Sequence, residues 1–221
     1  DSTDANGTIG IGYTALQSLT SGQSNTAIGY EALKTEDTGD FNTAVGYQAL
    51  YTHDRSGTAN NTAVGYKAGY ATTTAYESTL IGSNAGVAIT TGFANTIIGA
   101  NTADSLTTGD YNTAVGVGAL KSEDVEDTNN LGVGFHAGYN VITSVACTFV
   151  GSRSGVGASG VNIGNFNTGL GSYSLNAIKS GTGNTGLGAN SLLSLTTGGS
   201  NTCIGYNSGR TATNLSNLIA I

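Results

Sequence analysis

Few residues in this chain could do chemistry. Among 221 residues there are two histidines, two cysteines, fourteen Asp and Glu and seven Lys and Arg. His53-Asp54-Arg55 is the place where an imidazole adjoins a carboxylate in sequence, the pairing that acid–base work uses. No Ser or Cys nucleophile is placed with it, so it reads as a solvated turn. The other histidine, His136, follows Phe135 far along the chain and does not complete a catalytic pair. Ser122-Glu123-Asp124-Val125-Glu126-Asp127 carries four carboxylates, and Glu36, Asp37 and Asp40 form a smaller cluster. Closely spaced carboxylates can hold Ca²⁺, which takes six to eight oxygen ligands. Neither EF-hand spacing nor a Gly-Gly-x-Gly-x-Asp repeat is present, so both clusters read as solvated acidic turns. Ca²⁺ stays open as a cofactor; no other cofactor, catalytic residue or metal ligand is assigned, and the chain is not expected to be an enzyme.

What would position such residues is a repeat. The pattern [Asn/Ser]-Thr-small-aliphatic-Gly reads Asn25-Thr26-Ala27-Ile28-Gly29, Asn42-Thr43-Ala44-Val45-Gly46 and Asn61-Thr62-Ala63-Val64-Gly65. Its glycines are Gly12, Gly29, Gly46, Gly65, Gly82, Gly99, Gly116, Gly134, Gly151, Gly171, Gly188 and Gly205, and eight of the eleven steps between them are 17 residues. The residue before each is aliphatic: Ile11, then Ile28, Val45, Val64, Ile81, Ile98, Val115, Val133, Val150, Leu170, Leu187 and Ile204. A small residue, such as Ala32, Ala49 or Ser174, comes three after it, and Ser-Gly or Thr-Gly recurs about ten after it.

A 17-residue unit is too short for a helix pair and long enough for one coil of a β-solenoid. Thr-Ala-Ile-Gly is alternating and β-branched, which predicts a strand. The segment around Ala-Leu is expected to be a second strand, and the Ser/Thr-Gly and Asn positions are turn chemistry. Each coil is then strand, turn, strand, turn. Coils stack as a parallel ladder, and twelve of them at ~4.8 Å give a rod ~55 Å long. The fold class is therefore all-β: a parallel β-solenoid of about 12 coils, a single repeat domain over 1–221. Residue 1 is Asp, and the chain is read as processed or as a segment of a longer fibre.

Composition agrees. There are 35 Gly and no Pro, and charged residues are 10%, which leaves little for a deep globular core. Regularly spaced Ile, Val and Leu exclude disorder, and the absence of Pro and of a three-residue Gly period excludes collagen. A net charge of −7 argues against a nucleic-acid partner, and no apolar run is long enough for a membrane helix. Cys147 and Cys203 would lie three coils apart, ~14 Å, which is too far for a disulfide.

Strand alternation assigns faces. Ala and Gly of each motif point one way, into a narrow lumen; Thr and the aliphatic residue point the other. The outward column Ile28, Val45, Val64, Ile81, Ile98, Val115, Val133, Val150, Leu170, Leu187 and Ile204 would be a continuous apolar stripe, and a stripe of that kind requires a partner surface. Copies of the same chain would supply it. The converse, with the aliphatic column filling the lumen of a monomer, is the alternative. The Asn column is expected to stack as a structural ladder. Tyr13, Tyr30, Tyr47, Tyr66 and Tyr206 follow the repeat glycines directly, and their amphipathic rings suit packing along the rod or contact with glycans.

NTAIGYEAL, NTAVGYQAL and NTAVGYKAG resemble the head repeats of trimeric autotransporter adhesins and, more closely, the repeats of bacteriophage tail fibres and related bacterial surface proteins. The coil here is longer than in the adhesin heads by roughly three turn residues. The resemblance implies a homotrimeric fibre that attaches to a host or surface, through a glycan or protein receptor, located on a virion or at a cell surface. Phage and bacterial origin both remain open. The rivals are a monomeric ice- or glycan-binding solenoid, for which the Thr column is the feature to examine, and a tailspike that depolymerises polysaccharide with paired carboxylates.

Overall fold

The computed structural model describes residues 7–122, 129–141, 143–158 and 163–221. It is a parallel β-solenoid with no helix among the described residues. One thirteen-stranded sheet runs from Ile9–Ile11 to Ile219–Ala220, with the strands in chain order. Every strand is the repeat motif itself, as in Thr26–Ile28, Thr43–Val45 and Thr62–Val64. Register is set residue for residue: Thr26 pairs with Thr43, Ala27 with Ala44 and Ile28 with Val45. The 19-residue step keeps that register, Ala44 facing Ala63, so its extra residues leave the ladder as turn. Gly39–Asp40 and Gly57–Thr58 form a small second sheet at the Ser/Thr-Gly turn beside that long step.

The lumen is narrow and filled in three columns. The strand column includes Ala27, Ala44, Leu80, Ile97 and Phe149; a second includes Leu33, Leu50, Leu120, Leu175 and Leu192; a third includes Ile89, Leu106, Ile178 and Leu195; all are buried. Large residues alternate between columns so that volume is shared. Where the second column has glycine, the strand column is large: a Cβ on Gly69 would lie 2.6 Å from Leu80 Cδ1, and one on Gly209 would lie 2.6 Å from Cys203 Sγ. Close packing of this kind is what a core without thickness needs.

Two expectations are corrected. The Ala-Leu segment is not a strand. Ala32 and Leu33 are adjacent and both wholly buried, which strand alternation forbids. The chain achieves this by placing alternate residues in the left-handed region, Glu31 at φ 53 and Leu33 at φ 48, then Gln48 at φ 53 and Leu50 at φ 49. These conformations cost about 1–2 kcal/mol each for residues with a Cβ. The inter-coil ladder offsets that cost. Glu31 N–H donates back to Tyr13 O at 2.9 Å, and Leu33 N–H donates forward to Ala49 O at 3.0 Å. With so many N–H groups engaged along the axis, the absence of Pro has a physical reason.

The second correction concerns the repeat glycine, which does not line the lumen. Gly116 has φ +126, and a Cβ there would lie 2.6 Å from the carbonyl oxygen of Gly134 in the next coil. Glycine recurs because the coils approach one another backbone to backbone at this corner.

Asn forms the ladder the sequence predicts. Asn25 Oδ1 accepts from Asn42 N–H at 2.8 Å and Asn95 Oδ1 from Asn112 N–H at 2.9 Å, while Asn184 Nδ2 donates to Gly198 O at 2.9 Å. Each of these bonds ties an Asn side chain to the coil that follows it. Cys147 stands in this Asn column and Cys203 in the strand column; both are buried.

Candidate binding faces and a buried polar pair

The outer face of the sheet carries two parallel columns. Thr26, Thr43, Thr62, Thr79, Thr96 and Thr113 are half-buried. Beside them the aliphatic column faces out, with Ile28 38% exposed, Ile81 36%, Leu170 42% and Leu187 39%. Ile204 is exposed likewise, and Val45, Val64, Ile98, Val115, Val133 and Val150 are half-buried. Strand alternation settles this: with Ala27 and Ala44 buried on the inner side, their neighbours must face outward. The aliphatic column does not fill the lumen.

The tyrosines of the repeat line the next corner. Tyr13, Tyr30, Tyr47 and Tyr66 stack with ring centroids 5.2, 5.1 and 5.3 Å apart. The spacing is that of the coils, so ring on ring follows once successive coils carry Tyr in one column. Each inner ring face is taken by a neighbour, so the column presents ring edges and hydroxyls. Tyr206 stands apart from this stack and is 75% exposed. A second stack, Tyr51 on Tyr70 at 5.1 Å, flanks the first. Lys67 bridges the two, its Nζ 5.5 Å from the Tyr66 centroid and 5.0 Å from that of Tyr70. Glu31 joins coils by accepting from Lys34 Nζ at 2.6 Å and from Gln48 Nε2 at 2.7 Å. The hydrogen bond from Lys34 holds the Glu31 carboxyl below its usual range, and the Glu31 charge in turn raises the Tyr30 phenol.

His53 is not in a solvated turn. It is wholly buried in the third lumen column, as is Glu36, one coil earlier. His53 Nδ1 lies 2.5 Å from Glu36 Oε2, and Glu36 Oε1 accepts from Gly39 N–H at 2.6 Å. On its other edge His53 Nε2 is 2.9 Å from Ala75 O and 3.0 Å from Asn61 Nδ2. Each polar atom of the pair therefore has a partner, the condition under which such a pair persists in a low-dielectric interior. Asp54 and Arg55, read with His53, take no part: Arg55 lies over the Tyr76 ring at 4.1 Å. The signal for the pair was available, since Glu36 and His53 each stand seven residues after a repeat glycine. It appears only when that column is aligned. The acidic run Glu123 to Asp127 lies outside the described residues, and among those described no group of three or more His, Cys, Asp or Glu could hold a metal ion.

Comparison with protein-family models, with curated proteins and with solved structures finds no match for this chain.

Proposed function

We propose that this chain is a structural and adhesive fibre segment that assembles with copies of itself, as a homotrimer, through the outer face of the thirteen-stranded sheet. One observation carries the reading: an Ile/Val/Leu column at the surface from Ile28 to Ile204, continuous along the rod. Scattered apolar residues need no partner, but a contiguous stripe of this length does. Identical coils make the stripe self-complementary in spacing, so a second copy matches it step for step. Three chains about one axis would bury three such stripes together. The threefold number rests on the resemblance to tail-fibre and adhesin-head repeats. Function would then be mechanical and multivalent, a stiff rod displaying repeated weak contacts to a host or surface at a virion or cell exterior.

The buried pair supports a structural role over catalysis. Glu36 and His53 are enclosed in the lumen and every polar atom is engaged, so they offer a substrate nothing. Ile98→Asp tests the assembly directly, because it places a charge at the contact while leaving the lumen untouched. Sedimentation velocity is expected to show the oligomer lost with β-structure retained. An unchanged oligomer would sink the proposal.

A second reading has one observation in its favour. The half-exposed Thr column runs beside the aliphatic one across successive strands, a repeated array of hydroxyl and methyl groups at ~4.8 Å that could order water as ice does. Thermal hysteresis measured on the native chain decides it: none is expected if this face is the self-contact.

A further inference from the structure

The chain is acidic overall, yet it gathers three of its basic side chains in three successive coils. Lys121, His136 and Arg153 follow Gly116, Gly134 and Gly151 respectively. Three aromatic rings accompany them. Lys121 Nζ is 5.7 Å from the Tyr139 centroid, and the Arg153 guanidinium is 5.9 Å from the Phe135 centroid and 5.8 Å from that of Tyr173. His136 stacks on Phe135 at 3.9 Å and leans on Tyr139 at 4.4 Å.

Arg153 is the decisive member. It is exposed, and its side chain makes no hydrogen bond or ion pair among the described residues. Lys121 differs, since Asp104 lies 3.4 Å from its Nζ. The Arg153 fork thus lies between two rings, with its N–H edge unused among the described residues. A guanidinium held in place loses less freedom on accepting a bidentate oxyanion.

We propose that Arg153, with His136 and Lys121, forms an oxyanion-binding site that takes a carboxylate or sulfate group, either free or carried on an acidic saccharide. The site would hold the anion by the Arg153 edge, with Lys121 and His136 adding charge and Phe135 and Tyr173 walling it. This inference does not depend on how the chain assembles.

The local field agrees. His136 is held below the usual histidine range by burial first and then by the positive charges of Arg153 and Lys121. Among the described residues, the charged and titratable groups around it are those two, Tyr139, and Asp104 beyond Lys121. An anion bound among them favours protonated His136, so binding tightens as pH falls through the histidine's titration, and the titration itself moves up when anion is present.

The test is a titration of the native chain, followed through the His136 ring C–H resonances, with acetate, sulfate, glucuronate and uncharged glucose. Acetate, sulfate or glucuronate should shift the resonances and raise the His136 midpoint, while glucose should not. Tighter binding of glucuronate than acetate assigns the group to a saccharide, and equal binding assigns it to the free anion. Arg153→Leu is expected to weaken binding about tenfold or more, with Arg153→Lys intermediate and both variants melting as the native chain does. No response to any anion, an equal response to glucose, or undiminished binding in Arg153→Leu would overturn the site.

Discussion

The coils from Thr26 to Val64 and those from Thr168 to Leu195 share one backbone and fill it differently. In the first set the strand column is Ala27, Ala44 and Ala63, and the small residue three after the repeat glycine is again Ala, as at Ala32 and Ala49. In the second set the strand column is Gly169 and Gly186, and the small residue has become Ser174 and Ser191. The exchange is one of volume. Ser174 Oγ donates to Gly186 O at 2.8 Å, and a Cβ on Gly186 would meet that Oγ at 2.7 Å. A methyl on the strand and a hydroxyl on the turn are alternative ways to fill the same space. The third column is polar in the first set, with Glu36 and His53, and apolar in the second, with Ile178 and Leu195. Outside, the first set carries the Tyr stack where the second has Ser172 and Ala189. Constant backbone contacts therefore define the fold, and side-chain columns vary along it so long as volume and hydrogen bonding balance.

The strongest way to break the comparison is to attack what both sets share. Gly116→Val puts a side chain against the next coil's backbone at φ +126 and is expected to destabilise by more than about 4 kcal/mol. Each coil contacts only its neighbours, so hydrogen exchange should lose protection in the adjoining coils first. Native-like melting of this variant would contradict the axial-contact account.

The next effect separates the two lumens. His53→Ala leaves the Glu36 carboxyl buried without its partner and should cost about 3–5 kcal/mol in denaturant unfolding. Glu36→Leu with His53→Leu turns the polar column into the apolar kind and should recover most of that loss. Equal damage from single and double variants would mean that the column tolerates no apolar filling here. A smaller effect sharpens the volume exchange: Gly186→Ala should destabilise by about 1–3 kcal/mol through overpacking, and adding Ser174→Ala should relieve it. Additive losses in the double variant would show that the two positions do not share space.

Much of this was legible because it recurs chemically. The period, the Thr-Ala-Ile-Gly strands, the Asn ladder and the outward aliphatic column each leave one residue type in one column. The second flank was not legible. Glu31, Gln48 and Lys67 all adopt left-handed φ there, and nothing in Glu, Gln or Lys announces it; the conformation is imposed by the coils above and below. Glu36 and His53 were missed for a different reason. They neighbour solvated residues along the chain, and only their place in an otherwise apolar column shows that they are inside. His136 and Arg153 likewise meet across coils, at a distance along the chain that pairwise reading passes over.

The central claim is that the outer aliphatic face is a contact between copies of this chain. Light scattering after size exclusion tests it most directly, on the native chain of 22.0 kDa. The account predicts a mass three times that of the chain. A monomeric mass at concentrations where fibres assemble would contradict it, leaving the stripe from Ile28 to Ile204 open to water or to a different ligand.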